Sequence, residues 1–220
     1  MFDLSPLYIS LRAATLSSAI VFVLGTVVAR LCYTMQGRKA TIVDTILTLP
    51  LVLPPTVLGF FLLVLFGKNG PFGILLAKIG QRGILFSWKA SIIAATVVSF
   101  PLMYRSALGA FRQIDQELLW AGRTLGMSEW KLFVHVMVPE AWPGLIAGLA
   151  LSFSRSLGEF GATLMIAGNI PGKTQTIPMA IYFATAGGDM QTAWIWVGII
   201  VAISCVSLAL TTHFDSRRKG

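Results

Sequence analysis

Followed for apolar and polar positions, the chain alternates long uncharged runs with short polar interruptions. No charge falls in residues 13–29, between Arg12 and Arg30, and that run is close to the ~20 residues a helix needs to cross a bilayer. Further apolar runs cover about 42–66, 90–104 with a backward extension through 84–88, 141–167 and 192–212. The pattern predicts an all-α polytopic membrane protein with five spans, the second capped by Thr41. Two shorter apolar runs, 74–77 and 177–186, cannot cross. The first lies among Gly70, Pro71, Gly73, Gly80 and Gly83 and reads as part of an external loop over 67–89. The second holds Pro178 and ends in Gly187, Gly188 and Asp189. It reads as an external or re-entrant helix, which leaves a sixth crossing open.

Composition agrees with the pattern. Of 220 residues, 55% are hydrophobic and 12% charged, too few charges to coat a soluble domain of this size. A net charge of +8 would point to nucleic acid in a soluble protein, but in a membrane protein it is a topology signal. Arg30, Arg38, Lys39, Arg105, Arg112, Arg123, Lys131, Arg217, Arg218 and Lys219 all fall on one side of the five predicted spans. Arg12, Lys68, Lys78, Arg82, Lys89 and Lys173 fall on the other, and Arg155 lies within a span. The larger group marks the cytoplasm, so the N-terminus is expected outside and the C-terminus inside, with the lipid bilayer and no nucleic acid as partner. Trp194 and Trp196 are expected to anchor the last span at the interface. Met1, Phe2 and Asp3 lack a basic n-region, so the first span is expected to stay uncleaved. Cys32 and Cys205 sit in apolar runs as packing residues, and His135, a packing or interfacial residue, has no second ligand at metal spacing.

Two spans carry residues that membranes disfavour. Pro50, Pro54 and Pro55 in TLPLVLPPTVLGF remove backbone donors in the second span, which must bend or break there. Such a break serves either as a packing kink or, with its freed carbonyls facing a cavity, as a pathway wall. The fourth span holds Arg155 and Glu159, and a lone charge at mid-bilayer costs about +3 kcal/mol on insertion scales. At i and i+4 the two share one helical face and can pair. The pair either neutralises itself in packing or presents Arg155 to an oxyanion with Glu159 fixing its fork. Gly144, Ala147, Gly148 and Ala150 on this span suit close helix approach, between subunits or within the chain.

Residues 113–139 form the longest polar passage between apolar runs. Asp115 can N-cap a short helix with Glu117 in its first turn, and Gly126 offers a left-handed stop. Leu118, Ala121, Gly122 and Leu125 then share a face. Ser128 and Glu129 can start a second helix, which Pro139 should end. Periodicity alone describes a surface helical hairpin. A face with Ala and Gly between leucines also suits docking in a partner's groove.

The run from Trp120 to Pro139 resembles the cytoplasmic loop of bacterial ABC importer permeases, E-A-A, three residues, G, nine residues, I-x-L-P. Ala121 and Gly122 take the alanine places, Gly126 the glycine, and Val136, Val138 and Pro139 the close, while Trp120 stands where the family has glutamate. The run SFSRSLGEFGATLMIAGNIPGKTQTIPMAIY, residues 152–182, and LPLVLPPTVLGF, residues 49–60, are similar to molybdate importer permeases, with sulfate and tungstate permeases sharing parts of both. The resemblance implies a type I ABC importer transmembrane domain filling residues 1–220 as one domain. Its function would be ATP-driven molybdate import by alternating access across the cytoplasmic membrane, with sulfate or tungstate as the alternatives. It implies a homodimer, two copies of an ATPase docked on the coupling loop, and an extracytoplasmic molybdate-binding protein. The coupling residues would be Leu118, Ala121, Gly122, Arg123, Leu125 and Gly126, and the pathway candidates Pro54, Pro55, Arg155 and Glu159. No cofactor, metal or catalytic residue is implied. AGNIPGKT, residues 167–174, fits a relaxed phosphate-loop pattern, but Gly168 is one place off the stricter position and no strand precedes it, so ATP hydrolysis is assigned to a partner. An intramembrane enzyme would need Arg155, Glu159 and His135 to converge, and the predicted topology separates them.

Overall fold

A computed structural model describes residues 3–80 and 83–216, with side chains described as far as residue 207. Arg82, Arg217, Arg218 and Lys219, which entered the charge argument, lie outside the described residues. All regular elements among the described residues are helical.

The first span is helix α1, Ser5–Tyr33, longer at both ends than its uncharged core. Its flanking arginines are accommodated rather than excluded. The Arg12 guanidinium lies 3.7 Å from the centre of the Trp88 ring, and Arg30 pairs with Glu129. The buried stripe of α1 is rich in small residues, including Ala13, Ala14, Ser17, Ser18, Gly25 and Ala29. A Cβ on Gly25 would sit 2.8 Å from Met103 Cγ and 3.2 Å from the Tyr104 backbone nitrogen, so close helix approach requires glycine there.

The predicted second span is two helices. Helix α2, Gly37–Val52, contains Pro50 without breaking, and α3, Pro55–Phe66, begins after an extended Leu53 and Pro54. The tandem prolines decide the position: each disfavours helical geometry in the residue before it, while Pro55 suits the first turn of a new helix. Only Thr48 of α2 is buried, and the segment with the length and apolarity to cross a membrane is Pro55–Lys78. That corrects the expected start near residue 42 and the reading of 67–89 as loop throughout. Helix α4, Pro71–Lys78, follows α3 closely, with the Phe66 and Phe72 rings stacked 5.0 Å apart.

Helix α5, Trp88–Arg112, carries Pro101 internally. The polar passage gives α6, Gln116–Thr124, and α7, Glu129–Leu132. Pro139 was expected to end this pattern, but the chain stays helical through it. A π-helical turn, Phe133–Met137, leads directly into α8, Val138–Leu157. A proline lacks the N–H and crowds the carbonyl four residues back, and a widened turn just before it relieves both. The fourth span, expected as one helix over 141–167, stops at Leu157, and α9, Gly161–Ala167, is separate.

Helices α1, α5 and α8 pack together around Met103, Tyr104, Phe111, Leu132 and Leu145. Gly144 and Gly148 serve this packing within the chain: a Cβ on either would come 2.6 Å from Ala110 Cβ or Ser106 Cβ on α5. Helix α10, Ile177–Ala186, has 10 residues, about 15 Å by helical rise, and does not cross. Helix α11, Met190–Ser216, is the last. Trp194 is exposed, but Trp196 is buried beside Ile177 and Ala180, so only the first of the two expected anchors faces outward. Cys32 is buried and Cys205 exposed, which removes Cys205 from the expected packing residues. Among the described residues five helical segments are long and apolar enough to cross a membrane, as the pattern predicted.

Candidate functional site

Glu159 lies where the chain turns from α8 into α9, with 2% of its surface exposed. One carboxylate oxygen accepts the Ala162 backbone N–H at 2.8 Å, and the other accepts from Arg155 Nη1 at 2.8 Å. The carboxylate thereby caps an otherwise unsatisfied donor at the start of α9 and holds a cation at the end of α8. The predicted pair forms, but across a helix end rather than along one face. This makes the break self-satisfying: a buried carboxylate survives only with its lone pairs occupied and its charge matched. The Arg155 side chain stays 33% exposed, so the pair is not sealed within the chain.

The proline break meets this one. Gly161 opens α9 against Pro55, where a Cβ would lie 2.9 Å from Pro55 Cβ and 3.4 Å from the Thr56 nitrogen. One turn on from Pro55, a Cβ on Gly59 would be 2.9 Å from Ala162 Cα and 2.7 Å from Met165 Cβ. Pro54 and Pro55 are themselves exposed. The four candidate pathway residues therefore belong to two helix breaks joined through glycine contacts. Gly59 and Gly161 went unremarked in the sequence, although both stand inside the motifs LPPTVLGF and SLGEFGAT. Beyond the break, Phe160 meets Tyr182 of α10 with ring centres 5.1 Å apart.

In the loop after α9 the Thr174 hydroxyl is committed to the loop's own backbone. Thr174 is buried, its hydroxyl donating to the Gly168 carbonyl at 2.8 Å and accepting the Ile170 N–H at 3.0 Å. A threonine so occupied has no hydroxyl to offer a metal-bound nucleotide.

In the hairpin, Asp115 accepts the Glu117 N–H at 2.9 Å, Ser128 accepts that of Lys131, and Gly126 has φ +77°. Caps and stop are those predicted. The shared face is not: Leu119 and Gly122 turn inward, and a Cβ on Gly122 would come 2.5 Å from Leu132 Cδ1. Leu118, Ala121 and Leu125 remain exposed, joined by Trp120 and Trp130. Gly122 thus closes the hairpin on itself instead of centring its outer surface. Arg123 Nε donates to Glu129 at 2.8 Å, a bond that raises its already high pKa, and Arg30 Nη2 donates to the second oxygen of Glu129 at 2.6 Å. Its local pattern marks Glu129 only as a helix starter; a bond to a residue 99 positions away leaves no local signal. His135 is exposed on the π-helical turn, and the 20 residues of α8, about 30 Å, separate it from Glu159. The three residues of an enzyme-like site do not converge.

A family model described as "Binding-protein-dependent transport system inner membrane component" matches residues 11–220. YvgM of Bacillus subtilis strain 168, provisionally named a molybdenum transport system permease protein, is 46% identical over 93% of this chain and 90% of its own length. The molybdenum transport system permease protein ModB of Haemophilus influenzae is 39% identical over 98% of this chain and 94% of its own. The sulfate transport system permease protein CysT of Escherichia coli K12 is 36% identical over 84% of this chain and 66% of its own. In fold, an inward-facing structure of the MetNI methionine ABC transporter superposes with a TM-score of 0.74 at 18% identity, over 94% of this chain and 92% of that one. The chain belongs to the family of binding-protein-dependent transport system inner membrane components, a multi-pass protein of the cytoplasmic membrane with the helical fold of a type I ABC importer transmembrane domain.

Proposed function

We propose that this chain is the permease subunit of an ATP-driven molybdate importer. The observation that carries the reading is the Arg155–Glu159 break, a partly exposed arginine oriented by a buried carboxylate inside a motif similar to that of molybdate permeases. Likeness to the two molybdenum permeases over nearly the full chain supports molybdate over sulfate, since the sulfate permease is less similar and longer. The working unit is a homodimer with two ATPase copies at the hairpin and an extracytoplasmic molybdate-binding protein at the opposite face. ATP binding closes the ATPase dimer, draws the hairpins together and turns the pathway outward; hydrolysis returns it inward. The basic residues near the hairpin end support a cytoplasmic hairpin and an external N-terminus. Hydrolysis belongs to the partner, so the chain itself is not an enzyme.

The test is molybdenum accumulation at low external molybdate in cells with and without the chain, repeated with excess sulfate and with excess tungstate. Loss of accumulation without the chain, together with sulfate-insensitive uptake in its presence, is expected. Full suppression by sulfate would move the assignment to a sulfate permease.

A further inference from the structure

The hairpin that presents Leu118, Ala121 and Leu125 is fastened by polar bonds to one membrane helix. Gln116 Nε2, in the first turn of α6, donates to the Tyr33 hydroxyl at 2.7 Å. Arg30, one turn earlier on α1, donates to Glu129 at the start of α7, and Glu129 also accepts from Arg123 near the end of α6. A single carboxylate thus joins α1, α6 and α7. The far end of α1 is fastened too: the Ser10 hydroxyl accepts the buried Ile177 N–H of α10 at 2.8 Å. Between Ser10 and Arg30, about 30 Å by helical rise, α1 runs unbroken as part of a 29-residue helix closely packed on α5.

Extending the permease reading, on which it rests, we propose that Glu129 is a positioning residue that makes α1 the lever of transport. It locks the hairpin to the end of α1, so that displacement of the hairpin by the ATPase moves α1 and, through Ser10, the external α10. Without the lock, the left-handed turn at Gly126 absorbs the displacement. Stability is a poor measure of such a residue. The Glu129 side chain is 55% exposed and its Arg123 partner 42%, and exposed ion pairs contribute little to folding, while Arg30, at 15%, is the more buried partner. Its value is directional: two guanidiniums from different elements fix the carboxylate from two sides.

The complex of this chain with its ATPase and binding protein, reconstituted in liposomes, tests this by molybdate transported per ATP hydrolysed. Glu129→Gln should keep the ATPase bound in a pull-down and leave thermal unfolding nearly unchanged, while transport per ATP falls about fivefold or more. Arg30→Gln, at a side chain only 15% exposed, should lower the ratio equally with some loss of melting temperature, and the double variant should transport no worse per ATP than either alone, since both cut one linkage. An unchanged ratio in Glu129→Gln with the ATPase retained would overturn the proposal, as would additive losses in the double variant. Should Glu129→Gln fail to assemble, Arg30→Gln decides alone by the same ratio. Failure of the unaltered chain to bind an ATPase would instead sink the permease reading, so the two failures are distinguishable.

Discussion

Glu159 holds two groups at once, and its substitutions should separate them. Glu159→Ala strands both the Ala162 N–H and the Arg155 guanidinium, a loss of about 1–3 kcal/mol for unsatisfied buried groups, read as a lower melting temperature in detergent. Glu159→Gln keeps an acceptor for Ala162 and should recover much of that stability, yet uptake should remain depressed because Arg155 loses its charged partner. Recovery of both together would place the pair in packing alone. The glycines make a second contrast. Gly59→Ala forces a Cβ against the Ala162 backbone and should cost about 1–3 kcal/mol, whereas Gly109→Ala, inside α5 with no atom within 4 Å, should not destabilise and should gain about 0.5–1 kcal/mol.

At the scale of elements, prolines act by neighbourhood rather than number. Pro50 rides inside α2, while Pro54 and Pro55 together end it, so Pro50→Ala should be tolerated, restoring one helical hydrogen bond with no change in uptake. The hairpin yields a sharper expectation. Ala121 is exposed, so Ala121→Trp should leave thermal unfolding intact and weaken ATPase capture in a pull-down; undiminished capture would remove this face from the docking surface. Gly126 acts differently. Its open surroundings and φ of +77° mean that Gly126→Ala pays backbone strain of about 1–2 kcal/mol without a clash, and Gly126→Asn should pay less. Caps and stop of this hairpin were legible because each depends on a few adjacent residues. The inward turn of Gly122 was not, because the leucine that receives it, Leu132, lies beyond the turn.

For the whole molecule, orientation is the open expectation with a direct measurement. In a Cys205→Ser background, Lys173→Cys should react with a membrane-impermeant maleimide applied outside intact cells, and Arg123→Cys only after permeabilisation. The reverse pattern would invert the topology and with it the sides assigned to the ATPase and the binding protein. The span count was readable from uncharged length, since lipid admits only segments that satisfy their own backbone. Where spans begin and end was less so: α1 outruns its uncharged core because Arg12 finds the Trp88 ring and Arg30 finds Glu129, partners distant in sequence.

By itself, the sequence determined the membrane class, the five apolar crossings, the capped hairpin and the pairing of Arg155 with Glu159. Each rests on composition or on spacing within a turn or two, where the physics is local. The tertiary structure decided which proline breaks the second span, that the fourth breaks at Glu159, that the two breaks meet through Gly161 and Pro55, and that Glu129 ties the hairpin to α1. These depend on backbone approach and charge pairing between segments far apart in the chain, which no local pattern encodes.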